Sequence, residues 1–173
     1  MIRVVLTGAE CTGKSTLAAR LSSYYEEPWT NEFVRTYVDQ LDRELIREDL
    51  ETIAQGQLAQ EDEALSQARR IIFHDTNLLS SILYANYFFG EQIEWVNETF
   101  LSRSYSIYLL CSPEGVNWQP DPGQRESPEV RAELQKKFKE SLIRLELPYL
   151  ELTGDASQRF GEAIVAIDRL VST

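Results

Sequence analysis

Short apolar runs alternate along this chain with longer stretches in which apolar residues return every three or four positions. Val4-Val5-Leu6, Ile71-Ile72-Phe73, residues 105–111 and Tyr149-Leu-Glu-Leu152 have strand length and continuous hydrophobicity. Pro28-Trp29-Thr30 is a shorter candidate strand. Between them the spacing predicts helices over 14–25, 33–40, 49–70, 78–89, 93–103, 129–145 and 155–171. In the longest of these, Leu50, Ile53, Leu58, Leu65 and Ala68 keep helical spacing. Gly90 stops the helix that starts at Leu78. Residues 112–128 break the rhythm, because Pro113, Pro120, Pro122 and Pro128 crowd there with two glycines. That segment is predicted to be a loop. Strands separated by helices predict a parallel sheet covered on both faces, with ligands at the carboxyl ends of the strands.

What stands at each strand end carries the chemistry. After the first strand the chain reads Gly8-Ala-Glu10-Cys-Thr12-Gly13-Lys14-Ser15-Thr16, the G-x-x-x-x-G-K-[ST] pattern in its strand-to-helix context. The glycines let backbone N–H groups turn toward phosphate oxygens, and the following helix adds its positive N-terminal end. Lys14 is placed to reach the β- and γ-phosphates and Ser15 to hold Mg²⁺. The strand that begins at Ile71 ends at His74-Asp75, where Asp75 would hold the same ion directly or through water. After the second strand come Glu32 and Arg35. Glu32 is a candidate to orient or deprotonate an acceptor hydroxyl and Arg35 to hold a phosphate. An (i, i+3) surface ion pair explains the same spacing equally well. The proline-rich loop carries Asp121, Gly123 and Arg125, with Arg131 in the next helix. Arginines on such a lid, approximately 112–130, neutralise the moving phosphoryl group. At the last strand end, Gly154 would let backbone approach an adenine ring and Arg159 would stack on it.

Length, charge and rare residues narrow the readings. The 173 residues suit one domain with one core. Seventeen Lys and Arg against 28 Asp and Glu leave a net charge of −11, which opposes binding of long nucleic acid. No run approaches the roughly 18 to 20 apolar residues of a membrane span. The first apolar run ends too early for a signal peptide, so a cytoplasmic location is expected. Cys11 and Cys111 give neither a disulfide framework nor a metal spacing. His74, the only histidine, reads as a strand residue with one satisfied ring nitrogen. Oligomeric state is left open, with a homo-oligomer compatible.

Taken in order, these motifs resemble the ribosylnicotinamide kinase domain of NadR-type proteins, a P-loop AAA-like ATPase/kinase domain. The resemblance runs through the P-loop, Glu32-Phe-Val-Arg35-Thr-Tyr37, Ile53-Ala-Gln-Gly56-Gln57, Ile72-Phe-His-Asp75-Thr76, Tyr108-Leu-Leu110, Trp118 with Asp121-Pro-Gly123-Gln-Arg125, and Arg159-Phe160. It implies an α/β P-loop nucleoside triphosphate hydrolase fold of the nucleoside/nucleotide kinase type. Its sheet would have five parallel strands in the order 2-3-1-4-5. It also implies phosphorylation of the 5′-hydroxyl of nicotinamide riboside with ATP and Mg²⁺. Glu10, Thr12, Thr16 and the other P-loop residues would bind nucleotide. Tyr37, Asn77 and Trp118 would join Glu32, Arg35 and Asp75 at the nucleoside-like substrate, with Trp118 and Tyr37 offering faces to a cationic ring. The chain departs from the family at Asn77, where a second aspartate is usual, at Pro122 within the lid, and at Cys11, where serine is typical. Two other readings fit the same scaffold. One is a kinase of another nucleoside or metabolite. The other is a regulatory ATPase without a small-molecule acceptor.

Overall fold

The computed structural model describes residues 1–120 and 127–172. Five parallel strands, β1 (Ile2–Thr7), β2 (Trp29–Thr30), β3 (Ile71–Asp75), β4 (Ile107–Cys111) and β5 (Tyr149–Leu152), form one sheet in the order β2-β3-β1-β4-β5. This is the order the resemblance implied. Seven helices cover it: α1 (Lys14–Tyr25), α2 (Phe33–Val38), α3 (Asp49–Gln67), α4 (Leu78–Phe89), α5 (Glu94–Ser102), α6 (Pro128–Arg144) and α7 (Ala156–Val171).

Alternation along the strands divides the core in two. Val4, Leu6, Phe73, Leu109 and Leu152 pack on Leu17, Ala18 and Leu21 of α1 and on Ala163 and Ile167 of α7. Val5, Tyr108 and Leu110 face the other way, onto Ala54, Leu78, Phe100 and Phe138. Because Leu6 pairs with Asp75 and Thr7 with Leu110, the β1 exit lies beside the ends of β3 and β4.

Helix ends follow local chemistry. Asn77 caps α4, Ser127 caps α6, and Asp155 with Gln158 makes a capping box at α7. The α3 helix stops before the expected Arg70. The Glu27 carboxylate accepts the backbone N–H groups of Arg69 and Arg70 at 2.9 Å each, which draws these residues out of the helical path. Phe33 packs where a side chain at Gly56 would stand, so α2 lies against α3. This accounts for the glycine in that motif.

Candidate functional site

Hydrogen bonds within the loop and from β4, α6 and α7 fix the P-loop backbone. Gly8 has φ +119° and a Cβ there would lie 2.9 Å from both the Cys111 carbonyl and Gln135 Oε1, so glycine is required. Gln135 accepts the Ala9 N–H at 2.9 Å and donates to the Cys111 carbonyl at 3.2 Å. The Ala9 carbonyl accepts from Lys14 Nζ at 2.7 Å and from Thr12 Oγ1 at 3.0 Å. Arg131 donates to the Cys11 carbonyl at 3.3 Å, and Arg159 to the Thr12 carbonyl at 3.0 Å. Three carbonyls that would repel an anion are thus engaged by cationic donors. Gly13, at φ +84°, then starts α1, whose N-terminal end adds its partial positive charge.

Beside this loop stands Asp75, 1% exposed. Burial, and next the neighbouring Glu32 carboxylate, push its carboxyl above the usual range, against the opposing pull of Lys14, a hydrogen bond from Ser15, and Arg35. Its Oδ1 is buried without a hydrogen-bond partner. A buried carboxylate oxygen left over beside a P-loop serine fits Mg²⁺, which takes oxygen ligands from one or two carboxylates together with phosphate oxygens. Thr76, next in the chain, holds φ +68°, an uncommon conformation for a β-branched residue and one that clusters at functional sites.

A cleft of about 510 Å³ opens beyond the P-loop between α2, α3, α4 and α5. Its walls include Glu10, Glu32, Arg35, Gln57, Thr76 and Tyr84, and its floor is largely aliphatic. Glu32 and Arg35 pair at 3.1 Å and both line this cleft, so the ion pair and a place at the cleft coexist. Gln57 accepts the Phe33 N–H at 3.2 Å and leaves its Nε2 buried without a partner. Tyr84 donates to Glu10 Oε2 at 3.0 Å, and burial with the nearby Glu10 and Glu32 charges holds its hydroxyl well above its ordinary range.

Several expected site residues have other engagements. Asn77 is 1% exposed, accepts the Leu79 N–H at 3.1 Å and donates to the Tyr108 hydroxyl at 3.1 Å. It caps a helix and does not line the cleft. Tyr37 donates to Asp49 Oδ1 at 2.8 Å, inside a knot in which Arg43 grips the same carboxylate at 2.7 and 2.8 Å. It too is absent from the cleft wall. Arg159, expected to stack on a base, is 5% exposed and spends its guanidinium on the carbonyls of Thr12 (3.0 Å), Gly154 (2.8 Å) and Glu114 (2.8 Å). Gly154 keeps its place at the β5 exit with φ +80°. Trp118 stands half-buried on the loop after β4, on the P-loop side and outside the cleft wall, next to Asn117, whose carbonyl accepts from Cys11 Sγ at 3.5 Å. Arg125, Asp121 and Gly123 lie outside the described residues. Thr16 is exposed on the first turn of α1. His74 keeps one ring nitrogen 3.3 Å from Thr30 Oγ1, as its strand position suggested.

The sequence reading missed Gln135, Tyr84 and Gln57 as site residues. Only Gln57 left a signal, since it lay within a motif. Among the described residues there is no cluster of three metal-ligating side chains, and no helix is long and apolar enough to cross a membrane.

No curated protein matches this sequence. Among solved structures, NadR protein in complex with NR superposes with a TM-score of 0.83 at 20% identity, covering 99% of this chain and 52% of that one. The chain therefore spans about half the length of that relative. Deoxyadenosine kinase from M. mycoides with bound dATP gives 0.65 at 17% identity, covering 97% and 100% of the two chains. Thymidylate kinase from Ehrlichia chaffeensis gives 0.70 at 13%, covering 96% and 98%. These likenesses establish the P-loop kinase fold. The family model for the AAA domain matches residues 3–159, and the chain belongs to that family.

Proposed function

We propose that this chain is a small-molecule kinase that transfers the γ-phosphoryl group of ATP to the 5′-hydroxyl of nicotinamide riboside. The observation that carries the reading is the junction of the P-loop and Asp75 with a cleft walled by Glu10, Glu32 and Arg35. The structural likeness to NadR protein in complex with NR supports the choice of acceptor.

Glycine-bounded backbone, Lys14, Ser15 and Thr16 hold the triphosphate, with Thr12 bracing the loop through its bond to the Ala9 carbonyl. Ser15 and Asp75 would hold Mg²⁺, which would neutralise charge on the phosphate oxygens. Glu32 accepts the proton of the acceptor hydroxyl as its oxygen forms the new bond to phosphorus, and ADP leaves. Arg35 keeps Glu32 oriented through their ion pair. Arg125 would neutralise the charge that develops on the moving group. Gly154 borders the adenine, and Trp118 closes the nucleotide side.

Purified protein with ATP and Mg²⁺ should form the mononucleotide from nicotinamide riboside faster than it phosphorylates uridine, cytidine, adenosine or thymidine. A faster rate on one of those nucleosides would move the acceptor to that class. Failure on every acceptor with ATP binding intact would leave a nucleotide-binding regulator as the better account.

A further inference from the structure

Glu10 lies within the phosphate-binding loop by sequence, yet its side chain lines the cleft beyond that loop. It is 9% exposed and lines the cleft beside Tyr84, Thr76 and Ser80. Tyr84 of α4 holds one carboxylate oxygen at 3.0 Å. The second oxygen, Oε1, is buried and has no hydrogen-bond partner. A buried carboxylate oxygen without a donor is costly, and such sites are built where a ligand supplies the donor. The phosphates of a nucleotide are anionic and offer none.

The charges around the cleft point the same way. Glu32 is matched by Arg35, Glu91 at the rim is matched by Arg47 at 2.5 Å, and Glu44 is exposed to water. Glu10 has a phenol for its partner, which donates a hydrogen bond and brings no positive charge. Asn77, a neutral residue, is turned away into the α4 cap. A negative charge for the acceptor is therefore available from Glu10 even though position 77 supplies none.

We propose that Glu10, held by Tyr84, is the residue that selects the acceptor. Its free oxygen takes a hydrogen bond from an acceptor donor group, and its charge favours a cationic heteroaromatic riboside over one with an added carboxylate. This rests on the riboside-kinase reading for the choice of probes.

The test compares nicotinamide riboside with nicotinic acid riboside at saturating ATP in wild type, Glu10→Gln and Glu10→Ala. The glutamine keeps an acceptor oxygen and removes the charge. It should lower the ratio of kcat/KM for the cationic over the zwitterionic riboside by about tenfold, as expected for loss of one partly screened charge. Glu10→Ala should also raise the KM of both ribosides, with the KM for ATP unchanged. Tyr84→Phe should reproduce the KM change more weakly. An unaltered ratio in Glu10→Gln, or an effect confined to the KM for ATP, overturns the proposal. If wild type phosphorylates neither riboside but accepts another nucleoside, the riboside reading falls alone. The proposal then stands only if Glu10→Ala raises the KM of that nucleoside and spares ATP. A wild type that takes no acceptor overturns both.

Discussion

Replacing Arg159 by lysine separates two accounts of this residue. In the structure its guanidinium makes hydrogen bonds of 3.0, 2.8 and 2.8 Å to the carbonyls of Thr12, Gly154 and Glu114, while only 5% exposed. Bonds from a charged donor contribute roughly 1.5–3 kcal/mol each. Lysine preserves the charge and one bond, so two are lost, about 3–6 kcal/mol. Gly154 and Glu114 are exposed and regain water, which offsets part of this. The net expectation is about 2–4 kcal/mol, a large share of the 5–15 kcal/mol that stabilises an ordinary domain. For a chain of this length each kcal/mol shifts the midpoint by about 2–4 °C, so Tm should fall by about 4–16 °C. Urea unfolding and calorimetry without nucleotide measure this directly. The KM for ATP should rise as well, because the Thr12 carbonyl is freed beside the phosphate cradle. An unchanged Tm with a raised KM for ATP, sensitive to the identity of the base, would refute the clamp and restore base stacking.

Lys14→Ala should abolish ATP turnover while circular dichroism shows a folded protein, and near-normal turnover would remove the P-loop from the chemistry. Arg125→Ala should lower kcat by about tenfold to a thousandfold with a smaller effect on ATP affinity; the opposite split would make it a nucleotide-binding residue. Asp75→Asn should lower kcat and raise the Mg²⁺ concentration needed for half-maximal rate. The folded carboxyl titrates above its unfolded value near about 3.9, so its favourable contribution is full below that pH and lost as pH rises through the folded value. The asparagine variant should therefore melt higher than wild type at pH 7.5, and a lower Tm there contradicts the burial argument. For Asp49 the sign is reversed. The hydrogen bonds from Arg43 hold its carboxyl well below the usual range, so its contribution is present above about pH 4 and disappears as pH falls. Arg43→Met should lower Tm at pH 7, and a gap that fails to close on acidification would count against this linkage.

The fold and the P-loop pattern were legible because they depend on local order. Glycine spacing, an apolar run before it and a helix after it lie within sixteen residues. Asp75 announced itself by ending a buried strand. The cleft lining was less legible, since Glu10, Gln57 and Tyr84 meet only through packing of α3 and α4 against the P-loop. Position 77 illustrates the difficulty: asparagine looks like a lost charge in sequence, and its side chain is committed to a helix cap and to Tyr108. Tyr37 is committed in a similar way, because Asp49 takes its hydroxyl from twelve positions along the chain.

The ties of the P-loop have a consequence for synthesis. Residues 8–13 emerge well before the groups that steady their carbonyls and N–H, which sit at positions 131, 135 and 159. A nascent chain that has already exposed four of the five strands still lacks Arg159. Triphosphate affinity should thus arise late, after loop closures of 120 to 147 residues, and not with the first strand. ATP would then bind almost exclusively to finished molecules and stabilise them by mass action, while incomplete chains gain nothing from the nucleotide around them.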